Sequence, residues 1–144
     1  MSDPVVSLTY SDAEVKSRLT QLASQVSDLT PVMEDIGQFM LLQHDRRFGA
    51  QVDFRGNPLL PNSPKTIAYK KATGKILKIL QSTGMMRSRT AYKANKDSVT
   101  ITNNDAKARK HQLGIGVPKR EIFGINPVED TPVIIGIIED YLVE

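Results

Sequence analysis

The chain has 144 residues, 40% hydrophobic and 24% charged, a size and balance that suit a single soluble domain with one core. It contains no cysteine, which excludes disulfides and thiolate zinc sites and fits a reducing cytoplasm; no apolar run is long enough to cross a bilayer, and the start "MSDPVVSLTY" lacks the pattern of a secretory leader. The net charge of +3 conceals three blocks: five Lys/Arg against eight Asp/Glu over residues 1–64, fourteen against two over 65–120, and none against six over 121–144. Blocks of this kind suit a nucleic-acid face, or a basic surface of one subunit meeting an acidic surface of another.

The spacing predicts a first helix over residues 10–29. Ser11 and Glu14 have the spacing of a capping box, and Tyr10 and Val15 that of a hydrophobic staple. Val15, Leu19, Leu22 and Val26 form one narrow apolar stripe, enough to pack on a single neighbour. That neighbour is either the same domain or an adjacent subunit.

A second helix restarts at Thr30 as N-cap, with Pro31 at the first helical position. Glu34 and Asp35 near its start and Arg46 and Arg47 near its end complement the helix dipole. Met33, Ile36, Met40 and Phe48 set the buried face, widened by Phe39, Leu41 and Leu42, with His44 a partly buried packing residue. Residues 52–64 are a loop dense in Gly, Pro and Asn, whose Phe54, Leu59 and Leu60 offer apolar anchors to a partner. Ser63-Pro64 opens a short helix through Ala72, and a basic segment then runs to Gly84, which reads as a helix C-cap.

The period then changes. Val99 and Ile101 alternate with Thr100 and Thr102, so residues 86–93 and 98–103 form a hairpin about a turn at 94–97. "DAKARKHQLG" is a short helix stopped by Gly114, and "VPKREIFG" is extended. The C-terminal apolar pairs recur every four residues, which makes a helix despite the β-branched content, starting either at Asn126-Pro127 or at Thr131-Pro132, the second of which avoids an internal proline. The sum is an α+β single domain spanning 1–144, with N-terminal helices, a hairpin-based antiparallel sheet and a C-terminal helix.

Catalytic constellations do not assemble. A nucleophile–base pair would have to use His44 or His111, and neither lies in a G-x-S-x-G or zinc-binding spacing. Gly114-Ile115-Gly116 begins like a dinucleotide fingerprint, but Lys119 occupies the third glycine position. No catalytic, metal or cofactor role is expected. Lys107, Arg109, Lys110, Lys119 and Arg120 could track phosphates, with only Phe123 nearby for base stacking.

Three stretches in order carry a resemblance. "FRGNPLLPNSPKTIAYKK", "KILQSTGMMRSR" and "HQLGIGVPKREIFGI" followed by an acidic C-terminal helix resemble the phage virion-morphogenesis or tail-completion family of Mu-like and related contractile-tailed phages. Leu59, Leu113 and Glu121 stand where that family commonly has Trp, Phe and a second Pro. The resemblance implies a non-enzymatic virion component that completes the tail end or joins tail to head at the neck. It implies assembly in the host cytoplasm and work as a homo-oligomeric ring, often hexameric. Its implied partners are tail tube or sheath proteins and neck connectors. His111, Gln112, Gly114, Pro118, Arg120, Phe123 and Gly124 then read as a structural and assembly signature, with His111 and Arg120 tying backbone carbonyls of an irregular segment. Glu139 and Asp140 on the acidic helix, together with Phe54, Leu59 and Leu60, are the expected subunit contacts.

Overall fold

The computed structural model describes residues 6–8, 12–81 and 84–142. The first helix, α1 (Ala13–Ala23), is capped by Asp12, whose carboxylate accepts from the backbone N–H groups of Glu14 and Val15. The Ser11–Glu14 box and the Tyr10 staple involve positions outside the described residues. The helix ends at Ala23, with Ser24 as its C-cap, short of residue 29. Val15 and Leu22 are buried and Leu19 packs against the core, whereas Val26, beyond the end of the helix, is 41% exposed.

The long α2 (Thr30–Ala50) is the organising element. Thr30 is its first residue, not its cap; Asp28 accepts from both the Thr30 N–H and hydroxyl, holding the entry turn. One face buries Met33, Ile36, Met40 and Phe48 as the periodicity requires, while Leu42 points to solvent. Gln51, in the left-handed region at φ 61°, closes the helix. The loop 52–63 folds back through a Val52–Pro58 bridge and an Asp53 turn into α3 (Pro64–Ala72), capped by the Ser63 hydroxyl.

Gly84 takes a different part from the C-cap expected of it. At φ 83° it precedes a one-turn helix, α4 (Met85–Ser88), so the hairpin strand starts only at β2 (Thr90–Ala94). β2 pairs with β3 (Val99–Asn103), Ala94 opposite Val99 and Thr90 opposite Asn103. A third strand, β1 (Val6–Leu8), lies antiparallel on the other side of β3, giving the order β1-β3-β2. The helix α5 (Ala106–Leu113) is capped by Asp105 and ends at Gly114, φ 71°. Residues 114–130 carry no regular element, and α6 (Thr131–Tyr141) closes the described fold.

α2 crosses one face of the sheet and also meets α6, which packs on α1. Contact between α2 and the sheet depends on Gly37: a Cβ there would lie 2.4 Å from the Tyr92 ring. The fold is therefore α+β with a single core, running from Val15 and Leu22 through α2 to Ile101, Phe123, Ile134 and Ile138.

Candidate functional site

Gln112, Arg120 and Phe123 of the signature meet around one loop junction. Gly114 turns the chain out of α5, where a Cβ would press within 3.2 Å of the Lys119 side chain. The returning strand of loop is caught at once, since the Arg120 N–H donates to the His111 carbonyl at 2.7 Å. The Arg120 guanidinium then spends all three nitrogens. Nε donates to the Leu60 carbonyl at 2.7 Å, Nη2 to the Pro61 carbonyl at 2.8 Å, and Nη1 to His111 Nδ1 at 2.9 Å. A planar fork suits three such acceptors, and a lysine could not reproduce it.

This geometry fixes the His111 tautomer. Nδ1 accepts from Arg120, because a guanidinium only donates, so the neutral ring carries its proton on Nε2; a Pro118 backbone hydrogen bond opposes the fall in its pKa. Burial and the neighbouring guanidinium hold the imidazole pKa down to about 4, so the ring is neutral at pH 7. Gln112 completes the junction by clamping the Phe123 backbone: its Nε2 donates to the Phe123 carbonyl at 2.8 Å and its Oε1 accepts from the Phe123 N–H at 3.2 Å. Arg120 thus reaches beyond its own segment and pins the loop 52–63.

Phe54 and Leu59 are occupied within the subunit. Leu59 is buried, and the Phe54 N–H donates to the Glu121 carbonyl at 2.9 Å. The Phe54 ring lies over Gly124, where a Cβ would approach it to 2.4 Å, with the Arg55 guanidinium 4.1 Å from the ring centroid. Leu60 remains exposed. On α6, Glu139 pairs with Arg18 of α1 at 3.4 Å, and Asp140 is exposed without an ion pair among the described residues.

A second, deeper cluster lies beneath Phe123. Asp130 is fully buried, and three donors converge on its carboxylate: Arg47 Nη2 at 2.5 Å and the Asn126 N–H at 2.8 Å on Oδ2, and Gln43 Nε2 at 2.8 Å on Oδ1. Arg47 Nη1 also donates to the carbonyls of Gly124 and Ile122, at 2.8 and 3.2 Å. Burial lowers the Arg47 pKa and the Asp130 charge opposes that shift. His44, fully buried and stacked on Phe123 at 5.5 Å, donates from Nδ1 to the Met40 carbonyl at 2.6 Å and accepts the Gly124 N–H on Nε2 at 3.3 Å. Burial first, and then Arg47, depress its pKa to about 4. The charge of Arg47 suits the helix end, but charge alone does not point to this buried role. The signal was present, because Arg47 continues the stripe Ile36, Met40, His44 on the core face.

Chemically, both nitrogens of His44 and Nδ1 of His111 are occupied, and the buried guanidinium groups are spent on carbonyls, one carboxylate and the His111 ring. Among the described residues no three His, Asp or Glu side chains group as a metal site, and no helix is long and apolar enough to cross a membrane. The arrangement does one thing well: two polar clusters rivet the irregular 114–130 segment to α2, α5 and the loop 52–63 without secondary structure.

The family model for the phage virion morphogenesis family matches residues 10–143. No curated protein and no solved structure matches the chain.

Proposed function

From the chain's membership of the phage virion morphogenesis family, and hence its role in building phage particles, we propose that it completes or terminates the tail, or joins tail to head at the neck, by self-association into a ring. It acts by contact and not by catalysis, and it resides in the virion at the tail or neck. The observation that carries this reading is that the signature side chains are consumed in holding loops, while opposite charges segregate along the chain and lie largely on its surface. A ring made from one repeated heterologous contact needs two different complementary patches on each subunit. Partners at either face of the ring would be tail tube or sheath proteins, or neck connectors.

The assay is sedimentation velocity on the purified chain over a salt series. Assembly larger than a monomer that weakens with salt supports the reading; a monomer at every concentration and salt contradicts it.

One observation favours a second reading, contact with DNA phosphates. Lys107, Arg109 and Lys110 are exposed on α5, whose only buried residue is Ala108. A module of that kind binds duplex DNA as a free subunit, with affinity falling steeply with salt. Absence of such binding removes it.

A further inference from the structure

α2 and α6 enclose a shallow groove on the surface. Its apolar floor is Phe39, Leu42 and Ile137 with the Tyr141 ring, and its rim carries Asp35 and Asp140. Among the described residues, no Lys or Arg lines it. Leu42 is 59% exposed, a large apolar residue in the middle of an otherwise well-packed helix. Tyr141 spans the groove by donating its hydroxyl to Asp35, which holds α6 against α2 and keeps the groove's shape.

The chain carries a second surface of the opposite character. Ile76, Leu77 and Met85 are all exposed, and Ile76 reaches towards Gly84 just before Met85. Residues 71–89 around them include Lys71, Lys75 and Lys78 and contain no Asp or Glu. This surface lies at the far end of α2: Lys78 Nζ donates to the Gly49 carbonyl, and Gln51 holds the Ile79 backbone through both its amide atoms. Asp35 and Gly49 are separated along the helix by about 20 Å at 1.5 Å per residue. The two patches therefore do not cover one another within one subunit.

We infer that the acidic-rimmed α2–α6 groove receives the basic apolar surface around Leu77 of a second copy of this chain, head to tail. The groove carries only acidic charge, whereas the segment 71–89 supplies only basic charge, with Asp45 of α2 paired to Arg87 at its edge, so the net signs of the two patches are opposite. Burial of the aliphatic groups supplies affinity, and the charges set orientation and exclude groove-to-groove pairing. This inference rests on the self-association proposed above and names its two surfaces.

The experiment uses the full chain in sedimentation velocity, with circular dichroism confirming that each variant is folded. Leu42→Asp spoils the groove and leaves the basic surface; Leu77→Asp does the reverse. Each alone is expected to associate at least roughly tenfold more weakly than the unaltered chain, as loss of a central apolar anchor requires. Mixed in equal amounts, they are expected to form one-to-one pairs and nothing larger, because each retains the half that the other lost. Leu42→Ser and Leu77→Ser serve as a second pair if either aspartate variant is unfolded. A mixture that stays monomeric, or single variants that assemble like the parent, overturns this pairing while self-association itself stands. A parent chain that never assembles removes both.

Discussion

Replacing Asp130 by Asn is the sharpest probe of what holds the signature segment in place. The carboxylate receives three donors in a site without solvent, from Arg47, Gln43 and the Asn126 backbone. An amide of the same shape presents one acceptor and one donor, so at least one of the three meets another donor. It also leaves the buried Arg47 guanidinium, 7% exposed, without its counter-charge. Removing one partner of a buried pair costs about 3–5 kcal/mol. In a chain of this length each kcal/mol lowers Tm by roughly 3–4 °C, so a drop of about 10 °C or more is expected. Against a total stability of about 5–15 kcal/mol that is a large share. Calorimetry on the parent and the variant measures it directly. The double variant with Arg47→Met should lose less than the sum of the two single losses, because the uncompensated charge is gone. A Tm within about 2 °C of the parent would refute the reasoning, since it would mean that the pair is open to water or that Arg47 has other partners.

Acidification should destabilise the chain through its histidines: the folded state holds His44 at about 4 against an ordinary 6.5, so the unfolded chain binds more protons between those values. Stability is then full above pH 6.5 and falls as pH drops towards 4, by on the order of 3 kcal/mol for His44; denaturant midpoints across that range test it, and an NMR titration near 6.5 would contradict it. Gly124→Ala drives a methyl into the Phe54 ring and Gly37→Ala into the Tyr92 ring, and each should cost about 1–3 kcal/mol by overpacking in chemical unfolding. Arg120→Lys forfeits the fork to Leu60 and Pro61, so hydrogen exchange over residues 52–63 should quicken while the sheet stays protected; an unchanged loop would show that Arg120 does not hold it.

Much of this architecture is legible in the sequence, for local reasons. The start of α6 at Thr131-Pro132, the Gly114 stop of α5 and the Val99–Ile101 alternation are each written in a few adjacent residues. The Arg120 side chain bonds the Leu60 and Pro61 carbonyls, far away in the chain, where the local pattern pointed to carbonyls of its own irregular segment. What local pattern cannot carry is the pairing of Arg47 with Asp130, 83 positions apart, or the burial of Leu59 inside its own subunit. Two further elements were too short to leave a period: β1 has three residues and α4 has four. Val26 continues a helical stripe on paper, but the helix stops at Ala23, where the Ser24 hydroxyl bonds the Gln21 carbonyl and the chain turns towards Asp28.

The proposed place in the particle is tested most directly by electron microscopy of lysates from a phage lacking this protein. Separate filled heads and unfinished or unjoined tails, restored to whole particles when purified protein is added, are the expected result. Intact, infectious particles in normal number without the protein would contradict it.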